Sequence, residues 1–167
     1  MAIDTAAKRN AALLDQMVLL PDGSLANERD RGAQLGQYVS LLSSYADMVV
    51  EISLSNIAAD TDAEVGVNFR KLDASNFLAA YVDDGDNLVH LAKFLAGVET
   101  TLGTAAWTPA DTAEIRVLAQ SDRLRVEVDR VLKLDVTEAD LADNARAGLF
   151  SRSTTVVLFK DFYAEGL

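Results

Sequence analysis

The sequence predicts a mainly β fold, an antiparallel β-sandwich of the jelly-roll type that follows an N-terminal helical or extended arm. The first observation is the stretch 113–136, AEIRVLAQSDRLRVEVDRVLKLDV, in which apolar and charged residues alternate through three segments separated by two short turns. A period of two directs one side of a strand to a core and the other to water. The second observation is that roughly nine or ten short segments of this kind follow Tyr45 at regular spacing, which is typical of sandwiches and jelly rolls.

Before residue 45 the periodicity is helical. Residues 4–20 are rich in alanine and other helix-forming residues, and Leu13, Met17 and Leu20 share one face of the predicted helix. The turn-forming sequence Pro-Asp-Gly-Ser at 21–24 ends this segment.

A second predicted helix begins with Asn27 as its cap. Its apolar residues recur at the spacing of one helix face: Leu35, Tyr38, Val39 and Leu42. Neither helix is long enough to be stable alone in water, so each needs a surface to lie on. We therefore predict a docking arm over residues 1–44, which contacts neighbouring subunits through these two apolar faces, and a sandwich domain over residues 45–167. The alternative is that both helices pack on the sandwich itself.

The strand predictions after residue 45 rest on alternation and on turn chemistry between the segments. The segment 77–82 is apolar on both faces, as expected for a strand in the middle of a sheet. Residues 138–144 are predicted to form a loop or one helical turn. The predicted strands cover 48–55, 65–69, 77–82, 88–95, 98–102, three segments within 113–136, 146–150 and 155–164.

Composition narrows the partners of the protein. The chain has no cysteine, no apolar run long enough to span a membrane and no secretory leader pattern at its start, so we expect assembly in a reducing cytoplasm without membrane contact. Of the net charge of −11, residues 1–44 carry −1 and the remainder −10. An acidic surface repels phosphate backbones, so we expect no nucleic-acid partner.

Three motifs follow one another along the chain: an F-R strand end with the turn Asp73 to Phe77, a hairpin from Val126 to Val131, and an A-G-L-F…F-x-D-F strand pair from Ala147 to Phe162. They are similar, in the same order, to motifs of concanavalin A-like lectin/glucanase domains, in which the hairpin reads V-x-V-D-G-V. Residues 45–167 resemble the laminin-G-like type of this family. One departure is Arg130, where the family usually has glycine. Because arginine tolerates positive φ poorly, we expect this turn to be longer or of another type than a two-residue hairpin turn.

The segments IDTAAKR, LPDGS and LGQYVSLL in the arm resemble the openings of small bacteriophage virion proteins. The two resemblances together imply a non-enzymatic virion structural protein, a capsid decoration, head-fibre or tail-associated protein, assembled in the host cytoplasm. Its arm would attach to capsid or tail subunits and its sandwich would face outward. Self-association is expected, with a homo-trimer as the natural form of an outward-facing fibre. The alternative function is a free-standing carbohydrate-binding module.

Catalysis and metal binding find little support in the residues. Glucanases of the resembled family use an E-x-D-x-x-E pattern, and its nearest match, Glu127-Val-Asp129, lacks the third acid. We therefore predict no enzymatic activity and no cofactor. Asp83, Asp84 and Asp86 offer oxygen ligands for Ca²⁺, but their spacing lacks a full ligand set and suits ordinary turn chemistry, so no metal is predicted.

Carbohydrate binding needs an exposed aromatic ring with polar neighbours. Trp107, Tyr81 and Tyr163 are the sequence candidates for such a platform, and surface glycans are the ligands that it would take. Trp107 precedes Thr108-Pro109 in a loop-like context. An aromatic side chain in that context also suits a plug at the end of the sandwich, which is the alternative for this residue.

Overall fold

The computed structural model describes residues 46–59, 61–152 and 157–167, together with the backbone of four short strands within the first 45 residues. These residues form two antiparallel sheets of seven strands each, packed face to face, and a 3-10 turn at Ile57–Ala59. None of the described residues belongs to a helix that is long and apolar enough to cross a membrane. The predicted mainly β sandwich is confirmed.

The strands are numbered in chain order. They are β1 (Met17–Leu19), β2 (Leu25–Asn27), β3 (Gly36–Gln37), β4 (Leu41–Leu42), β5 (Met48–Ser55), β6 (Glu64–Phe69), β7 (Phe77–Asp83), β8 (Leu88–Leu95), β9 (Val98–Ala106), β10 (Thr112–Gln120), β11 (Arg123–Val128), β12 (Val131–Thr137), β13 (Arg146–Arg152) and β14 (Leu158–Gly166). The first sheet has the order β1-β2-β14-β5-β10-β11-β12. The second has the order β3-β13-β6-β7-β8-β9, and β4 also pairs with β13.

The ten strands from β5 onward follow the predicted segments closely. In β10 the residues Ala113, Ile115, Val117 and Ala119 are buried, whereas the intervening Glu114 and Arg116 are partly exposed. The largest difference is β9, which continues to Ala106 rather than ending at 102. Strand β9 lies at the edge of its sheet, where its side chains are exposed or only partly buried. Its sequence, VETTLGTAA, therefore shows almost no alternation of apolar and polar residues.

The second sheet carries apolar side chains on both of its faces. One face contributes Leu78, Ala80 and Val82 of β7 to the core between the sheets. The opposite face carries a separate buried cluster formed by Phe77, Ala79, Tyr81, Ala92, Phe94 and Phe150. This second cluster explains why β7 is apolar at every position, and the prediction that it is a central strand is confirmed.

The helical prediction for the arm is wrong where the structure describes it. Residues 17–19, 36–37 and 41–42 are strands, and Asn27, the predicted cap of the second helix, is the last residue of β2. The rest of the two predicted helices lies outside the described residues. Strand β2 pairs with β14, and β3 and β4 pair with β13. An unpaired sheet edge presents a row of backbone N–H and C=O groups. A segment too short to form a stable helix can satisfy its own backbone hydrogen bonds by pairing with such an edge.

The turn between β11 and β12 is also different from its prediction. Val128 pairs directly with Val131, so Asp129 and Arg130 form a two-residue turn, and both have positive φ, 51° and 64°. Arg130 is held there by ion pairs with Glu51 at 3.0 Å and Glu114 at 2.5 Å. These contacts across the outer face of the first sheet favour an arginine where backbone geometry alone would favour glycine.

Two substitutions at this turn separate backbone strain from the ion pairs. Arg130→Gly and Arg130→Ala both remove the guanidinium, but only glycine adopts positive φ without cost. We therefore expect the free energy of unfolding to be about 1 kcal/mol higher for the glycine variant than for the alanine variant, measured by urea denaturation. Equal stabilities would show that the turn does not have this conformation in solution.

Candidate functional site

The face of the second sheet that points away from the core gathers polar residues from five neighbouring strands. Antiparallel partners point to the same side of a sheet, so the pairing register gives its rows. One row runs Arg152, Glu64, Asp83, and the next runs Phe150, Gly66, Tyr81, His90, Thr104. Glu99 lies on the same side of β9, opposite Phe94. We call Glu64, Tyr81, His90, Glu99 and Arg152 the polar cluster.

Arg152 connects the members of this cluster. Its Nη1 donates a hydrogen bond to Glu99 Oε2 at 2.9 Å, and its Nη2 donates to Glu99 Oε1 at 3.2 Å and to the Tyr81 hydroxyl at 3.3 Å. The same guanidinium forms an ion pair with Glu64. The Tyr81 hydroxyl in turn donates to Glu99 Oε1 at 2.8 Å.

These contacts show that the face is concave. Arg152 is in β13 and Glu99 is in β9, with β6, β7 and β8 between them. On a flat sheet four strand spacings amount to about 19 Å, which is more than an arginine and a glutamate side chain can bridge. The sheet must therefore curve toward this side, and we call it the concave face.

Aromatic rings form the floor of the concave face. Tyr81 stacks on Phe150 and on His90, with ring centroids 4.9 Å apart in both pairs, and Phe77 stacks on Phe94 at 4.4 Å. The Arg152 guanidinium carbon lies 5.2 Å from the centroid of the Phe150 ring and 5.5 Å from that of Tyr81. At these distances the ring quadrupoles attract the cation and help to fix its position.

The electrostatic environment differs between the two glutamates. Burial raises the pKa of Glu64 above its ordinary value despite the nearby Arg152. Burial also acts to raise the pKa of Glu99, but hydrogen bonds from Arg152 and Tyr81 outweigh it and hold that pKa below the usual range. Burial and the hydrogen bond to Glu99 raise the pKa of Tyr81, so its hydroxyl remains a proton donor.

The charged side chains of the cluster are partly accessible to solvent, although the atoms Glu64 Oε2 and Arg152 Nε are buried. The side chains of Arg152, Glu64 and Glu99 are 22%, 26% and 29% exposed, whereas the rings beneath them are buried. Thr101 and Thr104 of β9 are exposed at the rim. This surface offers carboxylates that accept hydrogen bonds, a guanidinium that donates them, and hydroxyl groups that do both. Such a set suits a ligand with several hydroxyl groups.

The three aromatic residues proposed from the sequence do not lie together. Tyr81 belongs to the polar cluster, but its ring is buried in the floor. Trp107 is 6% exposed and lies in the main core, so it does not present a ring to a ligand and instead fits the alternative of a plug. Tyr163 is exposed on the outer face of the first sheet, paired with Glu51.

The burial of Trp107 predicts a loss of stability rather than a specific loss of binding when it is changed. Trp107→Ala is expected to lower the free energy of unfolding by about 3–5 kcal/mol, because it removes a large side chain from the core. Tyr163→Ala is the control and should change it by less than about 0.5 kcal/mol. Thermal melts of both variants test this, and a Trp107→Ala variant as stable as the wild type would contradict the burial.

The acidic turn after β7 places Asp83, Asp86 and His90 with their ligand atoms within 4.8 Å of one another. Their oxygens already have partners. Asp83 accepts from the Gly85 amide, and Asp86 accepts from the Leu88 amide and contacts His90 Nε2 at 2.8 Å. Asp84 is not part of this group. The contacts are those of ordinary turns, and they do not require a metal ion.

The docking role predicted for the arm is not tested by these contacts. Met17 lies in β1 and Leu42 in β4, so both are in strands. Leu13, Leu20, Leu35, Tyr38 and Val39 lie outside the described residues. Docking through these seven residues stays a prediction, as does the division of the chain at residue 44.

Glu64, Glu99 and Arg152 could not be identified as site residues from the sequence. Each is a single charged residue near the end of a strand, and nothing in its neighbourhood marks it. The available signal was aromatic: Phe77, Tyr81, Phe94 and Phe150 alternate with core residues on three strands. Apolar residues on both faces of a strand indicate that its sheet has a second packed face in addition to the one that meets the core.

No protein-family profile matches the sequence. No curated protein matches it either. Solved structures do match in fold. A carbohydrate binding module, CBM66 from Bacillus subtilis, aligns with 92% of this chain and 93% of its own at 19% identity and a TM-score of 0.71.

Two further structures show the same fold. The Caenorhabditis elegans galectin LEC-6 aligns with 84% of this chain and 95% of its own, with 9% identity and a TM-score of 0.60. The GH43 protein BlXynB from Bacillus licheniformis aligns with 91% of this chain but only 35% of its own, with 10% identity and a TM-score of 0.69. The chain therefore has a concanavalin A-like, lectin-type jelly-roll fold.

Proposed function

We propose that this chain is a non-catalytic carbohydrate-binding module whose ligand lies on the concave face of the second sheet. The observation that carries the proposal is the network in which Arg152 joins Glu64, Glu99 and Tyr81 above an aromatic floor. Partly exposed charged groups held this rigidly are preorganised to bind a ligand at low entropic cost.

Sugar hydroxyls match the polarity of this network. A hydroxyl can donate to a carboxylate oxygen of Glu99 or Glu64 while it accepts from Arg152 or from a threonine at the rim. The Tyr81 hydroxyl holds Glu99 in place, so the acceptors do not have to reorganise when a ligand arrives. Adjacent hydroxyls of one sugar ring could thereby engage the guanidinium and a carboxylate together.

The non-catalytic part of the proposal rests on the same contacts. General acid and base catalysis by two carboxyl groups requires that each can gain or lose a proton at the reacting bond. Glu64 and Glu99 both pair with the single guanidinium of Arg152, which holds them in place as a binding network. Two of the similar structures support this reading, since one is named a carbohydrate binding module and another a galectin.

Attachment to a bacteriophage virion stays a prediction that rests on the resemblance of the arm. Co-sedimentation of the purified protein with capsids or with tails would test it. Deletion of residues 1–44 would test it less cleanly. It would remove β1 to β4, and β2, β3 and β4 pair with strands of the sandwich.

A glycan array probed with the full chain tests the proposed function. We expect binding to at least one class of oligosaccharide, and competition by the same oligosaccharide in solution. Binding to none of the glycans on a broad array would contradict the proposal.

A further inference from the structure

We infer that the concave face selects uncharged sugars and rejects acidic ones, such as glycans with uronic acids, sialic acid or sulfate. This inference rests on the proposed function and defines its ligand class. The sequence alone indicates glycans in general as candidate ligands and does not distinguish them by charge.

The charged side chains of the concave face are mostly acidic. Glu64, Asp83 and Glu99 lie on the same side of neighbouring strands, and Arg152 is the cation that contacts two of them. Asp83 is close enough to raise the pKa of Glu64. An anionic ligand would therefore meet carboxylates at short range, and like charges brought together at an interface oppose binding.

Arg152 already has two carboxylate partners within the protein. Its Nη1 and Nη2 contact Glu99, Glu64 and the Tyr81 hydroxyl, and its Nε is shielded from solvent. A sugar carboxylate bound to the guanidinium would compete with Glu64 and Glu99 for it, and a protein carboxylate displaced in this way would lose its counter-ion in a partly buried place. A neutral hydroxyl can instead join the existing network without breaking it.

The sandwich domain as a whole is also acidic. Residues 45–167 carry a net charge of −10, which slows the approach of any anion and favours neutral ligands at low ionic strength. The local and the overall charge therefore act in the same direction.

The test uses matched glycans, neutral oligosaccharides and their uronic, sialylated or sulfated counterparts, on one array at constant ionic strength. We expect the wild type to prefer the neutral member of a pair by at least about tenfold. Glu64→Gln removes one carboxylate and leaves Arg152 partly unpaired, so its affinity for the acidic member should rise by about tenfold. Glu99→Gln is a second variant with the same expectation, and melting curves confirm that each variant is folded.

Glu51→Gln is the matched control, because Glu51 pairs with Arg116 and Arg130 on the other sheet. It should not change the preference. Wild-type binding to acidic glycans as tight as, or tighter than, binding to their neutral counterparts would overturn the inference and leave the proposed function standing. Acidic binding that stays unchanged in both folded glutamine variants would also overturn it. Binding to no glycan at all would overturn the proposed function, and the inference with it.

Discussion

Arg152→Met is expected to weaken glycan binding by about 30- to 1,000-fold, which corresponds to about 2–4 kcal/mol. The variant removes the one group that contacts Glu64, Glu99 and Tyr81 together, and it leaves two carboxylates without a counter-ion. Methionine keeps much of the apolar stem over the aromatic floor, so the variant tests the charge and its hydrogen bonds. Isothermal titration with the strongest ligand of the array measures the change.

Arg116→Met is the matched control for this prediction. Arg116 is also partly exposed and also bridges two glutamates, Glu51 and Glu127, but on the outer face of the first sheet. We expect the control to bind glycan with wild-type affinity. The prediction fails if Arg152→Met binds as well as the wild type, or if both variants lose binding equally.

Gly66→Ala is expected to lower the free energy of unfolding by about 3 kcal/mol and to abolish binding. The added methyl group would clash with backbone atoms, which cannot move aside as the end of a side chain can. A Cβ at Gly66 would lie 2.1 Å from the Ala80 carbonyl oxygen and 2.7 Å from Tyr81 Cα. Strands β6 and β7 would have to separate directly beside Tyr81, so the damage falls on the polar cluster. Urea denaturation and the glycan array measure the two effects.

Gly103→Ala is the matched control for Gly66→Ala, because Gly103 lies in β9 of the same sheet. Its Cβ would lie 3.4 Å from Leu134 Cδ2 and 3.5 Å from Val136 Cγ2, which are ordinary contacts with side chains. We expect its stability to be within about 1 kcal/mol of the wild type. Similar losses for both alanine variants would indicate that the close approach of β6 and β7 is not the cause.

The strands after residue 45 could be predicted from the sequence because the signal for each strand lies within its own few residues. Alternation in β10 and β11 reflects which side of each strand meets the core, and a window of a few residues records it. Edge strand β9 shows the limit of this signal, since none of its side chains is fully buried and the alternation that predicts a strand ends at residue 102, before the strand does.

The arm could not be predicted in the same way. Helical spacing of apolar residues is also local, but what decides β2, β3 and β4 is the pairing offered by β13 and β14, more than 100 residues later in the chain. Sequence windows do not contain that partner. The conformation of Arg130 has a similar origin, because its ion pair with Glu51 spans 79 positions.

The functional site was the least predictable part. Its charged members are separated by 35 and 53 residues along the chain, from Glu64 to Glu99 and from Glu99 to Arg152, and only strand order and curvature bring them together. The sequence predicts an aromatic platform from Trp107, Tyr81 and Tyr163, and of these three residues only Tyr81 lies on the concave face. Even Tyr81 acts through its hydroxyl on Glu99 rather than through an exposed ring.

The central claim is that a sugar binds on the concave face, and an NMR titration of the isotope-labelled full chain with the strongest array ligand tests it most directly. We predict that the saturable shift changes occur at the polar cluster, Glu64, Tyr81, His90, Glu99 and Arg152, and at the β9 rim. Saturable changes that occur instead around Glu51 and Arg116 on the first sheet, with the polar cluster unaffected, would contradict the claim.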